Sequence, residues 1–320
     1  MSDSPLITIG IACFNAQDTI ERAVRSAGVQ TWPNTEVVVV DDGSSDSSPS
    51  ILERLAAGDS RLRVFRKDRN RGVAAARNTI LKQARGEFVA FFDDDDDSLP
   101  ERLTEQYRRI VGYEGETGAD LVICHSARTR VLPDGTQRYE ATMGTRTGVV
   151  APNSSSVADR ILIGRPLGEP VGSCATCSQM ARKRLYAVLG GFDENLRRGE
   201  DTDLNIRLAL AGGHFVGIAK PLVTQYMTIS SDKYIELERR FVLQWFDKYR
   251  DYLSQMGWHE HAREWLDIKF DYLGDRKVRF LTRMLLLFLR HPLKTVLRLY
   301  WTWPNRHHSK SALKWYREHR

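Results

Sequence analysis

Short apolar runs alternate with helix-like segments along the first part of the chain. Runs of strand length, rich in Ile, Val and Phe, occupy residues 6–13, 35–40, 62–65 and 88–92. Between them, apolar positions recur every three or four residues, as over 20–27 and 73–84, which indicates amphipathic helices. Nearly continuous apolar strands are typical of parallel sheets that are buried on both faces. The alternation therefore predicts an α/β fold with a mostly parallel central sheet and helices on both faces.

Turn and helix-start residues mark the ends of several elements. Residues 18–21, Asp-Thr-Ile-Glu, have the spacing of a capping box and predict the start of a helix. Pro49 and Pro100 each predict the start of another helix, because proline is well tolerated in the first turn. Residues 133–135, Pro-Asp-Gly, predict a hairpin turn.

The middle of the chain is less regular. Residues 142–172 contain many Gly, Pro and Ser residues and fit no regular element. Residues 174–180 suggest a strand, and residues 201–211 predict a helix that two glycines close. Two short strands, over 215–218 and 222–227, are expected to complete the sheet.

The chain changes character near residue 229. Apolar and aromatic residues recur at helical spacing, so we predict a helical extension over 229–274 and a basic amphipathic tail over 275–320. The tail holds 12 Lys/Arg against 2 Asp/Glu, a balance of +10, whereas the whole chain carries only +6. Basic helices with aromatic residues suit an anionic membrane surface, and a core helix or a partner interface is the alternative. Because the apolar faces are too large for a purely electrostatic binder, no nucleic acid partner is expected.

Composition indicates a globular protein of a reducing compartment. A hydrophobic content of 42% in 320 residues permits a large core. Four scattered cysteines do not form a disulfide framework. The first residues lack the pattern of a signal peptide, and no run reaches the ~18 apolar residues of a spanning helix. We therefore expect a cytoplasmic protein that is peripheral on the cytoplasmic face of the inner membrane.

Acidic residues stand at three ends of predicted elements, at residues 41–42, 93–97 and 200–201. The second group is five consecutive aspartates. Carboxyl ends of strands meet at the rim of an α/β sheet, where ligands bind, so we expect these groups in one cleft. Carboxylates there can hydrogen-bond a nucleobase, hold Mg²⁺ or Mn²⁺ against phosphates, and take a proton from a hydroxyl. This combination predicts transfer of a sugar from a nucleotide-diphosphate sugar.

Five segments resemble, in order, the motifs of the inverting, nucleotide-sugar-dependent glycosyltransferases of family 2. They are residues 9–15, 38–46, 71–78, 92–100 and 190–201. The resemblance implies a GT-A (nucleotide-diphospho-sugar transferase) fold, a single Rossmann-like domain with a mixed, mostly parallel sheet. It places a catalytic domain over 1–228, with a nucleotide-binding half over about 1–115 and an acceptor half over about 116–228. The Gln-x-x-Arg-Trp motif of the processive synthases is not seen, so a distributive enzyme is expected.

The resemblance also implies roles on the donor side. Phe14 would lie against the base with Asn15 beside it, and Asp42 would accept a hydrogen bond from the base imide. Arg77 would help to hold the nucleotide. An acid that faces the imide suits uracil, so UDP is the expected carrier.

Metal and acceptor roles follow from the same resemblance. Asp95 and Asp93 would form the Asp-x-Asp pair, with Asp95 on the divalent cation, Asp93 nearer the ribose or the waters of the metal, and Asp94 assisting. Asp201 would be the general base that activates the acceptor hydroxyl, and Glu200 would orient the acceptor or the base. The acceptor is expected to be a glycan or lipid-linked sugar in cell-surface polysaccharide biosynthesis.

Plainer interpretations stand beside these roles. Asp96 and Asp97 are expected to turn toward the helix near Pro100, because acids suit its positive end. Residues 200–201 would also suit an ordinary helix start. Cys174 and Cys177 are expected to be buried structural thiols, since no second pair completes a zinc site.

Two other functions stay open. A sugar-phosphate nucleotidyltransferase would use a related sheet and metal site, but should carry a Gly-rich loop with Arg and Lys after the first strand. This chain has Cys-Phe-Asn-Ala there, at residues 13–16. A non-catalytic nucleotide-binding membrane scaffold is the other possibility, and it would not need every acidic group.

Overall fold

A computed structural model describes residues 4–169, 172–227 and 235–302, which fall into two compact units. Unit 1 comprises the described parts of Met1–Val157 and Gly168–Thr228. Unit 2 comprises those of Ala158–Leu167 and Ile229–Arg320. The catalytic domain over 1–228 stays a prediction, and residues 158–167 of that range belong to unit 2.

Strands and helices alternate in the first part of unit 1. The elements are β1 (Ile7–Cys13), α1 (Ile20–Gly28), β2 (Thr35–Asp41), α2 (Ser48–Gly58), β3 (Leu62–Arg66), α3 (Val73–Gln83) and β4 (Phe88–Asp93). The four predicted strands and the helices between them are confirmed. The predicted helix start is confirmed, with Thr19 before its first residue and no side-chain cap hydrogen bond there. The Glu21 carboxylate, the last group of the predicted capping box, instead accepts hydrogen bonds from Arg25 Nη2 and Arg54 Nη2, each at 2.6 Å.

The second part of the chain up to residue 226 is more mixed. Its elements are β5 (Asp97–Ser98), α4 (Arg102–Thr117), β6 (Val122–Val131), β7 (Gln137–Glu140), α5 (Ser154–Ile163), β8 (Gln179–Arg182), α6 (Lys183–Val188), α7 (Glu200–Leu210) and β9 (His214–Tyr226). The hairpin turn over 133–135 is confirmed, since β6 and β7 pair antiparallel around it. Two strand predictions are wrong. Residues 215–218 and 222–226 lie in one strand, β9, whose register against β6 shifts near Ala127, and most of 174–180 precedes β8.

The nine strands of the described residues form one sheet in the order β3-β2-β1-β4-β8-β6-β9-β5, with β7 paired to β6. β3, β2, β1 and β4 are parallel neighbours, and β6 is parallel to β9. β8 runs antiparallel to both β4 and β6 and so joins the two parallel groups. The predicted mixed, mostly parallel sheet is confirmed.

The core of unit 1 lies on both faces of this sheet. Every residue of β2 is buried, as the continuous apolar run predicts. α3 packs very closely on β1, because a Cβ atom at Gly10 would lie only 2.4 Å from Ile80 Cγ2. Glycine is therefore required at this point of β1, and the close packing fixes α3, the helix that carries Arg77, against this strand.

Unit 2 contains helices α8 (Ile235–Asp247), α9 (Arg250–Gln255), α10 (His259–Leu273), α11 (Lys277–Arg290) and α12 (Pro292–Thr302). Apolar side chains of α11 and α12 are widely exposed, with Leu281 at 64%, Val278 at 79% and Leu293 at 80%. None of the helices in the described ranges is long and apolar enough to cross a membrane. The remainder of the predicted tail, residues 303–320, lies outside the described residues.

Candidate functional site

The carboxyl ends of three neighbouring parallel strands form one edge of the sheet in unit 1. Cys13, at the end of β1, is in register with Asp41 on β2, and Ala12 is in register with Asp93 on β4. The chain leaves β1 toward β2 on one side and returns to β4 on the other, so ligands are expected at this edge. The first two predicted acidic groups therefore lie at the same edge.

The loop after β1 is fixed by its backbone and by Asn15. Asn15 has a left-handed backbone (φ +51°), which asparagine tolerates better than most residues. Its Oδ1 accepts a hydrogen bond from the Ser45 N–H at 2.9 Å, and its own N–H donates to Ser44 Oγ at 2.9 Å. Phe14 is 43% exposed. Asn15 thus ties together the loops after β1 and β2, and Phe14 presents an accessible ring.

Asp42 is buried beneath a second loop. Its Oδ2 accepts hydrogen bonds from the backbone N–H groups of Arg71 at 3.0 Å and Gly72 at 2.7 Å, and Lys67 Nζ lies 3.4 Å from Oδ1. Gly43 has φ +78°, and a Cβ atom there would lie 2.7 Å from the Arg69 backbone. The Asp-Asp-Gly sequence therefore lets the 67–72 loop close over this carboxylate.

Asp94 turns back toward the loop after β1. Its Oδ2 accepts a hydrogen bond from the Phe14 N–H at 3.1 Å. Burial and the neighbouring Asp95 carboxylate raise the pKa of Asp94 to about 7. A carboxyl group with this pKa is partly protonated at neutral pH, and a bound cation would favour its ionised form.

The prediction that Asp96 and Asp97 turn toward α4 is wrong. Asp96 is buried and its Oδ1 accepts from the Tyr226 N–H at 3.1 Å, while Asp97 accepts from the Tyr226 hydroxyl at 3.1 Å. Asp97 also lies 3.2 Å from Arg22 Nε. Pairing of β5 with β9 turns the segment in this direction. Burial and the Asp93 charge raise the pKa of Asp96 to about 8.

A group of possible metal ligands lies beneath the aspartate segment. Ligand atoms of Asp93, Asp96 and Cys177 lie within 4.8 Å of one another. Asp96 Oδ2 is buried and has no hydrogen-bond partner in the described part of the chain, so it is available to a cation. Two carboxylates suit Mg²⁺ or Mn²⁺, so these residues fit the predicted ion. The geometry places Asp96 beside Asp93, whereas the assignment of Asp95 as the metal ligand stays a prediction.

Arg77 connects the aspartates with the third acidic group. Arg77 is only 6% exposed. Its Nη1 atom lies 2.5 Å from Glu200 Oε1, and its Nη2 atom lies 3.3 Å from Asp93 Oδ1. Burial lowers the pKa of Arg77, but the Glu200 and Asp93 carboxylates outweigh burial and raise it above its ordinary value. All three acidic groups of the sequence therefore belong to one region of unit 1.

Glu200 and Asp201 begin α7, after Gly199 with its left-handed backbone. Glu200 is buried, and burial raises its pKa although Arg77 opposes the shift. Asp201 is half-buried, and its Oδ1 accepts from the N–H of Thr202 at 2.6 Å. Within the described residues, Glu200 is thus paired with Arg77, whereas Asp201 forms no ion pair of its own.

The sequence model of the family "Glycosyl transferase family 2" matches residues 8–186, which is more than half of the chain. The chain belongs to glycosyl transferase family 2. The predicted family is confirmed, and the matched region includes the loops that carry Phe14, Asp42 and the aspartate segment.

Several curated relatives match the same region of this family 2 chain. EpsH of Bacillus subtilis is 39% identical over 125 residues, 39% of this chain and 35% of EpsH. The succinoglycan biosynthesis protein ExoO of Rhizobium meliloti is 40% identical over 119 residues, 37% of this chain and 32% of ExoO. WfaP of Escherichia coli, a UDP-Glc:α-D-GlcNAc-diphosphoundecaprenol β-1,3-glucosyltransferase, is 38% identical over 101 residues, 32% and 39% of the two chains. The matches thus span only about a third to two fifths of these relatives.

Solved structures of S. aureus TarS share the fold. TarS 1–349 superposes with a TM-score of 0.56 at 20% identity, covering 98% of this chain and 92% of that one. Its complex with UDP-GlcNAc gives a TM-score of 0.51 at 19% identity, covering 98% and 91%. The likeness concerns the fold, and the predicted GT-A fold followed by C-terminal helices is confirmed.

Sequence reasoning missed Asn78, which joins two of the family 2 motifs. Its Nδ2 donates to the Phe192 carbonyl oxygen at 2.9 Å, and its Oδ1 accepts from the Phe192 N–H at 2.8 Å. A Cβ atom at Gly191 would lie 2.5 Å from this Oδ1. The signal was available, because Asn78 ends the 71–78 motif and Gly191 precedes Phe192 in the acceptor-side motif.

Arg102 is a second missed residue. It is fully buried and donates to the Phe91 carbonyl oxygen at 2.8 Å, to Ser98 Oγ at 2.8 Å and to Gln106 Oε1 at 3.0 Å. Burial lowers the pKa of Arg102 to about 10. Arg102 therefore braces both ends of the aspartate segment, between β4 and α4. Its place two residues after Pro100 was the only sequence signal.

Proposed function

We propose that this chain transfers a sugar from a nucleotide-diphosphate sugar, with UDP as the carrier, to a hydroxyl group of a glycan or lipid-linked acceptor. The bridge from Asp93 through Arg77 to Glu200 carries the proposal, because it couples a cation-binding acidic segment to the helix start that bears Asp201. TarS has been crystallised with UDP and with UDP-GlcNAc, and WfaP is named as a UDP-glucose-dependent enzyme. Both support a UDP-sugar donor.

On the donor side, Phe14 supplies a ring against which a base can stack, and Asp42 supplies the acceptor for an imide N–H. Asp42 Oδ2 already accepts hydrogen bonds from the Arg71 and Gly72 N–H groups. The base imide would therefore donate to one of the remaining lone pairs of the Asp42 carboxylate. Asp93 with Asp95 or Asp96 would hold Mg²⁺ or Mn²⁺. When bound, the cation would neutralise charge on the leaving diphosphate.

On the acceptor side, Asp201 takes the proton from the acceptor hydroxyl. The acceptor oxygen then forms the bond to the anomeric carbon while the bond from that carbon to the diphosphate oxygen breaks. Because attack and departure take place on opposite faces, the configuration inverts. Glu200, held by Arg77, keeps the start of α7 in position for this proton transfer. We infer a distributive enzyme that adds one sugar per encounter.

We further infer that the enzyme works at the cytoplasmic face of the inner membrane in cell-surface polysaccharide synthesis. WfaP is named for an acceptor linked to diphosphoundecaprenol, and ExoO for succinoglycan biosynthesis. The exposed apolar side chains of α11 and α12, interspersed with Arg and Lys, suit the surface of an anionic bilayer. Residues 275–320 are the segment that we assign to this contact.

The test is a screen of nucleotide sugars for release of the nucleoside diphosphate, with Mn²⁺, Mg²⁺ or EDTA. We expect release from a UDP-sugar that EDTA abolishes. Asp95→Asn and Asp96→Asn separate the two ligand assignments. Substitution of the residue that binds the metal should raise the Mn²⁺ concentration needed for half-maximal release, and substitution of the other residue should not. Asp120→Asn, at an exposed carboxylate of unit 1, is the matched control. Metal-independent release, or none from any nucleotide sugar, would refute the proposal.

A further inference from the structure

Arg298, on α12, is a buried cation that forms no ion pair with an acid of the described residues. The residue is 7% exposed, and its Nε and Nη1 atoms have neither solvent contact nor a hydrogen-bond partner among the described residues. An arginine side chain carries five N–H donors and remains charged in proteins. Buried donors of this kind are usually satisfied, so the exception at Arg298 calls for a ligand.

The immediate surroundings of Arg298 are shaped to its guanidinium. A Cβ atom at Gly164 would lie 3.1 Å from Arg298 Cζ, so the backbone after α5 packs closely against this guanidinium. The Trp265 ring lies 5.5 Å from the same carbon. Gly164 also accepts a hydrogen bond from Arg160 Nη1 at 3.3 Å, which brings a second, half-buried arginine to the same place.

The charges around Arg298 add to its own instead of offsetting it. Burial and the Arg160 charge lower the pKa of Arg298 to about 9. Burial together with the Arg298 charge lowers the pKa of His261 to about 4. The nearest acid in sequence to Arg160, Asp159, is already bound by Arg165 Nη1 at 2.9 Å and by the Tyr252 hydroxyl at 2.7 Å. Among the described residues of unit 2 this positive charge therefore stays uncompensated, which is costly without an anion.

We propose that Arg298 and Arg160 form a binding site for a phosphate group. Two guanidinium groups offer the forked donors that match phosphate oxygens, and an anion would offset the buried charge. The phosphate can be free or can belong to a lipid headgroup, because α12 also exposes Leu293 and Tyr300 on its surface. This inference does not depend on the proposed glycosyl transfer, since both arginines lie in unit 2.

The test compares the wild type with Arg298→Met, Arg160→Gln and the control Arg279→Gln, which removes one exposed charge from α11. Thermal melts are recorded with inorganic phosphate or chloride at equal ionic strength. We expect phosphate to raise the Tm of the wild type and of Arg279→Gln in a concentration-dependent way, but not that of Arg298→Met or Arg160→Gln. Without phosphate, Arg298→Met should melt above the wild type, because it removes an uncompensated buried charge.

A second arm distinguishes the source of the phosphate. Co-sedimentation uses vesicles of phosphatidylcholine alone or mixed with phosphatidylglycerol, and Arg298→Met keeps the exposed apolar face intact. If Arg298→Met weakens binding to the phosphatidylglycerol vesicles at least fivefold more than Arg279→Gln does, the phosphate belongs to a lipid. A response to inorganic phosphate alone assigns a free anion. If neither probe distinguishes the Arg298→Met and Arg160→Gln variants from the control, the proposed site is wrong.

Discussion

Arg77 in unit 1 and Arg298 in unit 2 are equally buried, at 6% and 7% exposed, yet their surroundings are opposite. Arg77 contacts Glu200 and Asp93, and each carboxylate lies on a different part of the proposed site. Arg298 has another arginine, Arg160, beside it and forms no ion pair with an acid in the part of the chain that the structure describes. The free-energy cost of burying a charge is offset where the fold itself supplies a counter-charge. A buried charge without one therefore indicates a counter-ion from outside the fold.

His125 in unit 1 shows a third way in which a buried basic side chain avoids an unpaired charge, since it stays neutral. Its ring is fully buried and neither nitrogen has a hydrogen-bond partner among the described residues. Burial and the Arg128 charge lower its pKa to about 3, so the imidazole stays neutral. Histidine can give up its charge, whereas arginine cannot, which is why Arg298, unlike His125, calls for an anion.

The largest expected effect tests whether Asp201, next to the paired Glu200 of unit 1, is the catalytic base. Asp201→Asn should lower the transfer rate by about 10²- to 10⁴-fold, because an amide cannot accept the acceptor proton. Binding of UDP in the presence of Mn²⁺ should change little, since Asp201 forms no ion pair in the described residues. Initial rates and calorimetric titration measure the two quantities, with Asp120→Asn as control. Wild-type transfer by Asp201→Asn would exclude it as the base.

Arg77→Met tests the compensated side of the comparison. It leaves the buried Glu200 and the half-buried Asp93 without their counter-ion, so the free energy of unfolding should fall by about 3–5 kcal/mol. Arg77→Lys keeps the charge but loses the two-armed contact, and should lose less. Urea unfolding at neutral pH measures both variants. A methionine variant as stable as the wild type would show that the bridge contributes little.

His125 predicts a pH dependence whose sign follows from its lowered pKa. The unfolded histidine takes a proton below about pH 6.5, whereas the folded one does so only near pH 3. The stability from the neutral ring is therefore complete above pH 6.5 and is lost as the pH falls, by about 1.4 kcal/mol per pH unit. His125→Phe should remove this part of the slope between pH 6 and 4. Parallel slopes in urea unfolding would contradict the assignment.

The sequence predicted the elements of unit 1 better than the arrangement of its side chains. Periodicity located β1 to β4, because strands buried on both faces must be apolar throughout. Five identical aspartates carry no pattern that tells one from another, so the directions of Asp96 and Asp97 had to come from pairing of β5 with β9. The contact between Arg77 and Glu200 spans 123 positions, and no local rule predicts it.

The smallest expected effect concerns the exposed face of unit 2. Leu289→Asp places a charge on α11 where a leucine is 67% exposed, so folding should be little affected. If this face contacts lipid, the loss of one partly inserted leucine should weaken binding to anionic vesicles by about tenfold. Val188→Asp, at a valine that is 65% exposed on α6 of unit 1, is the matched control and should bind as the wild type does. Equal co-sedimentation of both variants would show that the exposed face of α11 does not contact the membrane and would favour a protein partner for it. Because both substitutions add the same charge, a loss of vesicle binding by Leu289→Asp alone would show that the apolar face of α11 contacts the bilayer.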